Sequence, residues 1–263
     1  MIKVATQFHA FYILTNLYYN IQMKKYPTII AGPCSVENIE QICQIALAVK
    51  DAGADYLRGG AFKPRTSPSS WQGLGKIGLD YLLKAKKVSG LPVVTEVLSI
   101  NYLEWYQDID VLQVGARNMQ NFELLKELGR SNKTILLKRG FGNTISELLS
   151  SAEYISSGGN KNIILCERGI RTFENSTRFR LDITAIPQLN SLGHTIYVDP
   201  SHASGDANLV QSLALASIAA GADGMMIECH TDPSKSIVDK DQAIDIPHLK
   251  ETINKIKLLS ECL

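Results

Sequence analysis

The sequence predicts a single (β/α)₈ barrel, and three observations lead there. Short runs rich in Ile, Val and Leu alternate with amphipathic segments from residue 28 to the end. Within those runs apolar and polar residues do not alternate, as expected of parallel strands covered on both faces. Eight such βα pairs follow one another without a linker, a low-complexity segment or a shift in composition. A doubly wound open sheet is the competing arrangement, but no Gly-x-Gly-x-x-Gly turn follows the first strand. A chain of 263 residues, 45% hydrophobic and 20% charged, can bury one large core. We therefore divide it into a short N-terminal extension, 1–27, and a barrel, 28–263.

The extension is apolar and aromatic (Phe8, Phe11, Tyr12, Tyr18, Tyr19) and lacks a small-residue cleavage site, so it makes a poor secretory signal. Two readings of it stay open: a packing helix that caps the domain, or a natural start at Met23. The first strand is the apolar run 28–31, stopped by a Gly-Pro-Cys-Ser turn, with a helix over 37–52. The run 54–57 is the second strand, followed by a basic loop and a helix over 74–88. Strand three is 92–95 with a helix over 100–107, and strand four is 111–114 with a helix over 121–128. Strand five, 134–137, leads to a helix over 144–156 that Gly158-Gly159 ends. Strand six, 162–165, reaches its helix near 181–192 through a polar loop. Strands seven and eight are 195–198 and 224–227, with helices over 207–220 and 247–259.

A formal net charge of +1, without a polybasic tail or aromatic–basic interleaving, argues against wholesale binding of nucleic acid or a membrane surface. No run approaches the ~20 apolar residues needed to span a bilayer. Five cysteines without paired spacing fit a reduced, cytoplasmic protein better than a disulfide framework.

Any anion site must then be local, and the loop after the second strand supplies one. Arg58 is followed by Gly59-Gly60, then by Lys63, Pro64, Arg65 and Thr66, with no carboxylate between residues 56 and 71. Barrel enzymes place their chemistry at the C-terminal strand ends. Reading only those ends gives Cys34, Arg58, Glu96, Gln113 with Gly115-Ala116-Arg117, Lys138, Glu167-Arg168, His202 and Glu228. Taken singly, Cys34 reads as a buried small hydrophobe and His202 as a loop residue. Taken together, Cys34, His202 and Glu228 come from strands that adjoin once the barrel closes, and Asp239 follows in the last long loop. A thiolate, an imidazole and two carboxylates suit a divalent ion such as Zn²⁺, Fe²⁺ or Mn²⁺. The cations Arg58, Lys63, Arg65, Arg117, Lys138 and Arg168 exceed what one phosphate needs, implying two anionic substrates or one with two anionic groups.

Six motifs, in this order, resemble one family: Gly32-Pro33-Cys34-Ser35, Lys63-Pro64-Arg65-Thr66-Ser67-Pro68, Gln113-Val114-Gly115-Ala116-Arg117, Leu137-Lys138-Arg139-Gly140, Asp199-Pro200-Ser201-His202 and Ile227-Glu228. They are similar to 3-deoxy-D-arabino-heptulosonate 7-phosphate (DAHP) synthases, in the compact branch related to 3-deoxy-octulosonate 8-phosphate (KDO8P) synthases. The resemblance implies condensation of phosphoenolpyruvate with erythrose 4-phosphate, the first step towards chorismate. It implies Cys34, His202, Glu228 and Asp239 as metal ligands, and Arg58, Gln113, Gly115, Ala116, Arg117, Lys138 and Arg168 around phosphoenolpyruvate. Lys63, Pro64, Arg65 and Thr66 would hold the aldose phosphate. Lys138 and Glu96 are the candidates for proton handling, with Cys34 and His202 catalytic through the metal. A homo-oligomer, dimer or tetramer, is expected, and a chorismate mutase partner stays open. So do a KDO8P synthase, against which Lys-Pro-Arg-Thr at 63–66 speaks, a Schiff-base aldolase built on Lys138, and a non-catalytic partner barrel.

Overall fold

The computed structural model describes residues 26–263; the choice between a capping extension and a start at Met23 falls on residues outside these. Eight parallel strands close into a barrel in chain order, with β1 (Thr28–Gly32) hydrogen-bonded to β8 (Gly224–Glu228). Between them run β2 (Tyr56–Arg58), β3 (Val93–Glu96), β4 (Val111–Val114), β5 (Thr134–Lys138), β6 (Ile163–Glu167) and β7 (Thr195–Val198). No helix among the described residues is long and apolar enough to cross a membrane.

The helices start and stop where local chemistry dictates. Asn38 caps α1 (Ile39–Ala52), accepting from the Gln41 amide at 2.8 Å, and Gly53 ends it in the left-handed region. The second helix, α2 (Lys76–Ser89), packs beside it, and α3 (Phe122–Gly129) follows β4. Thr144 and Glu147 form a reciprocal capping box on α4 (Ile145–Ser157). Then come α5 (Ala185–Ser191), the short α6 (Pro200–Ser204), α7 (Ala207–Ala219) and α8 (Ile246–Ser260).

Boundaries move in a few places. The segment expected to be α-helical over 100–107 is a 3-10 helix, Ile100–Tyr106. The second strand begins two residues later than expected, at Tyr56, and runs on through Arg58. The helix expected near 181–192 shortens to α5, because residues 170–180 turn back as a loop whose Ile170 and Arg180 pair in a bridge. The helix α6 was not expected at all.

Two buried layers explain where the site falls. Ile29, Leu57, Val93, Leu112, Ile135, Leu165, Ile196 and Ile227 face the helices and form the outer core. Ile30, Val94, Val111, Leu136, Cys166, Tyr197 and Met226 form a separate cluster that fills the barrel. Strand residues two apart share a face. The inward row therefore climbs from Val94 to Glu96, from Val111 to Gln113, from Leu136 to Lys138, from Cys166 to Arg168 and from Met226 to Glu228. One step of the pleat turns an apolar plug into a charged floor.

Candidate active site

Two cavities open above that floor. The inner one, about 560 Å³, is lined by Cys34, Arg58, Lys63, Glu96, Gln113, Gly115, Ala116, Arg117, Lys138, Arg168 and His202, among others. The outer one, about 770 Å³, is lined by Lys63, Pro64, Arg65, Thr66, Glu96, Arg117, Arg168, Arg178, His202 and Asp239. Lys63, Glu96, Arg117, Arg168 and His202 border both, so the two compartments share one wall.

The metal-type donors lie at this junction. Ligand atoms of Cys34, His202 and Asp239 come within 4.8 Å of one another. Asp199 caps α6 and orients the imidazole: its Oδ1 accepts from the His202 amide at 2.9 Å, and its Oδ2 lies 2.7 Å from Nδ1. Burial would raise the Asp199 pKa, but His202 and Lys138 hold it well below the usual carboxylate value. An ionised carboxylate only accepts, so the imidazole proton sits on Nδ1 and the Nε2 lone pair faces the junction. Burial lowers the His202 pKa to about 4, outweighing its carboxylate neighbours. Nε2 nevertheless lies 3.3 Å from Glu228 Oε1. The His202 lone pair, the Glu228 carboxylate, the Cys34 sulfur and the Asp239 carboxylate thus converge, a donor set whose chemistry fits a divalent cation.

Glu228 joins this group through His202 Nε2 but is not one of the three residues whose ligand atoms all lie close together. It is fully buried, receives Arg58 Nη1 at 2.7 Å and also accepts from Gln242. Asp239 reaches the group from an unusual backbone: its φ of 52° is the single left-handed value outside glycine among the described residues. Its Oδ2 lies 3.0 Å from Cys34 Sγ, and Arg65 and Arg178 flank it at 3.8 and 3.4 Å.

The cations divide by partner. Lys63 is not free for an aldose phosphate alone, since its ammonium lies 2.8 Å from Cys34 Sγ. The loop carrying it is drawn together by Lys63 N donating to Gln72 O and by Gln72 Nε2 donating to Ser70 O at 2.7 Å. Lys138 reaches Asp199 Oδ2 at 2.5 Å. By contrast, Arg168 is only 3% exposed and makes no ion pair among the described residues. Burial lowers its pKa to about 10, so it still carries charge at neutral pH. Glu96 is held by Gln113 Nε2 at 3.1 Å, and burial raises its pKa against the pull of Lys63 and Lys138. Gly115 leaves room for this carboxylate: a Cβ there would meet Glu96 Oε1 at 2.0 Å and displace it.

The structure therefore gathers the residues singled out in the sequence, with Glu228 joined to the other three candidate ligands through His202. Sequence reasoning named Asp199 within a motif but gave it no role, although Asp followed by Pro is a legible helix start. It also missed the Arg139 network, in which Nη1 bridges Glu167 at 3.0 Å and Asp182 at 2.8 Å. Phe141, Phe179 and Arg178 carried no signal, being single residues in polar loops.

Fold and mouth together define a barrel enzyme that brings small anionic substrates to one metal-capable centre. The chain belongs to the DAHP synthetase I family, whose sequence model matches residues 20–262. It is similar to a phospho-2-dehydro-3-deoxyheptonate aldolase of Thermotoga maritima, 51% identical over 240 residues, which are 90% of this chain and 71% of the relative. A crystal structure of the DAHP synthase of that organism superposes with a TM-score of 0.87 at 50% identity, covering 91% of this chain and 71% of the other. A 2-dehydro-3-deoxyphosphooctonate aldolase of Syntrophotalea carbinolica is 28% identical over 247 residues, 87% of this chain and 88% of the relative. The octulosonate branch is thus the more distant one.

Proposed function

We propose that this protein condenses phosphoenolpyruvate with erythrose 4-phosphate to give 3-deoxy-D-arabino-heptulosonate 7-phosphate and phosphate. The observation that carries the reading is the pair of cavities with one shared wall, each furnished with its own cations. In the inner cavity Arg117 and Arg168 hold the phosphate of phosphoenolpyruvate, while Arg58 and Lys138 face its carboxylate. In the outer cavity Arg65 and Thr66 hold the phosphate of the aldose, whose aldehyde points back to the junction. This positioning sets C3 of the enol against C1 of the aldehyde, and the new C–C bond forms there.

Water then adds to C2, and the hemiketal phosphate expels phosphate by C–O cleavage. Lys138 and Glu96 border the reacting carbons and carry the protons to the new hydroxyl and from the water. Cys34, His202 and Asp239 would hold a divalent ion, with Glu228 supporting, and when bound it would supply Lewis acidity towards the aldehyde oxygen or the water.

The test is phosphate release from phosphoenolpyruvate with each aldose phosphate in turn. Erythrose 4-phosphate is one carbon shorter than arabinose 5-phosphate, and Pro64 stiffens the distal anchor. We expect kcat/KM to favour the shorter sugar by at least ~10²-fold, since misplacement by about 1 Å can cost that much. Arg65→Ala should raise the KM for the aldose phosphate far more than that for phosphoenolpyruvate. Equal turnover of both sugars would defeat the assignment, and a defect confined to phosphoenolpyruvate would exchange the two cavities.

A further inference from the structure

In the wall between the cavities stand two arginines, buried Arg168 and exposed Arg117, that no carboxylate holds by an ion pair among the described residues. The side-chain hydrogen bonds of Arg168 go to the Gly169 and His202 carbonyls at 3.5 and 3.3 Å. What lies against them is a pair of stacked rings. Phe141 and Phe179 have centroids 4.9 Å apart and planes 9° from parallel. The Arg168 guanidinium carbon is 4.9 Å from the first ring centroid and 4.3 Å from the second. Arg117 lies 5.1 Å from Phe141, and Arg178 lies 6.0 Å from Phe179.

Two loops bring the rings together. Phe141 comes just after β5, and Arg171 N donates to its carbonyl at 2.6 Å. Phe179 lies in the returning loop, where its amide donates to Ala203 O at 2.8 Å. Gly169, at φ 90°, makes the approach possible, because a Cβ there would come 2.8 Å from Phe179 Cβ.

The chemistry of the guanidinium gives this arrangement a purpose. Its N–H groups lie in the plane, so a carboxylate partner would occupy the edge that an incoming phosphate needs. An aromatic face takes the flat side, offsets repulsion among neighbouring cations and leaves the edge free. We propose that Phe141 and Phe179 form a positioning platform that sets the planes of Arg117 and Arg168 so that their free edges converge on one phosphate. This rests on the reading of the inner cavity as the phosphoenolpyruvate site.

The test is calorimetry on the intact protein with phosphoenolpyruvate alone and with inorganic phosphate alone, beside steady-state kinetics. Phe141→Leu and Phe179→Leu should each raise the Kd and KM for phosphoenolpyruvate by roughly three- to thirtyfold. The KM for the aldose and kcat should move less than about twofold. Binding of inorganic phosphate should weaken in parallel, and Phe141→Tyr should restore both. Should a leucine variant fail to fold, Phe141→Met, which keeps the volume without a ring face, carries the same comparison. Unchanged Kd values in the ring-less variants overturn the proposal. So does an equal rise in both KM values with a lowered Tm, the mark of packing alone. A protein that binds phosphoenolpyruvate but does not condense it would end the reaction reading, and the binding series would still decide the platform. Failure of the parent protein to bind phosphoenolpyruvate ends both.

Discussion

Treatment with a strong chelator should lower turnover by at least about a thousandfold, and Mn²⁺ or another divalent ion should restore it. The expectation follows from where protons can and cannot be at the cavity junction. Asp199 fixes the His202 proton on Nδ1, and Nε2 then faces Glu228 Oε1 at 3.3 Å without a hydrogen between them. Cys34 Sγ and Asp239 Oδ2 are 3.0 Å apart in the same space. Lys63 offsets part of this concentration of donors but reaches only one corner of it. A spectroscopic check is available: Co²⁺ in the site should give a thiolate charge-transfer band that Cys34→Asn removes. Full activity in a verified metal-free preparation would sink the prediction, and an unchanged Co²⁺ spectrum in Cys34→Asn would remove the sulfur from the ligand set.

Lys138→Met should lower kcat by about 10²–10⁴-fold, the range for losing a positioned proton-transfer group. It should also destabilise the fold. Lys138 is 4% exposed and pairs with fully buried Asp199 at 2.5 Å, and removing one partner of a buried pair costs about 3–5 kcal/mol. Lys138→Arg separates the two effects, because it keeps a cation for Asp199 while displacing the proton. We expect the arginine variant to recover most of the lost Tm and little of the lost kcat. If kcat returns together with Tm, Lys138 is an electrostatic prop and the proton moves elsewhere. The ion pair also bears on the Schiff-base alternative, since a nucleophilic amine committed to Asp199 would first have to leave it. Borohydride trapping with a ketone substrate reads that directly.

The eight-fold βα alternation was legible because each buried strand is a short apolar run, and β4 and β7 fall where those runs lie. Hydrophobicity misplaced the upper ends of β2, β3, β5, β6 and β8 for one reason. Arg58, Glu96, Lys138, Glu167 and Glu228 continue the strands, and a charged residue looks like the end of an apolar run. The same residues were legible as chemistry because five strands ended on one and the other three led to Cys34, Gln113 and His202 at the same end. Their partners were not. Arg58 and Glu228 meet from strands that are not neighbours, and only the closed barrel brings them across β1. The 3-10 segment Ile100–Tyr106 escaped because seven residues are too few to separate a three-residue repeat from the α-helical one. Phe141 and Phe179 are 38 positions apart as numbered, in loops without periodicity, so nothing local couples them.

The left-handed backbone at Asp239 narrows what evolution can place there. Among residues with a side chain, asparagine and aspartate tolerate that conformation best, and glycine adopts it without strain. The position therefore answers to two filters, one conformational and one chemical, and a substitution series pulls them apart. Asp239→Asn and Asp239→Gly should keep the parent Tm within a few degrees while losing metal affinity, whereas Asp239→Val should lose both. A lineage drifting away from metal use would pass through asparagine or glycine at this position, and would keep the loop long after it had stopped needing the carboxylate.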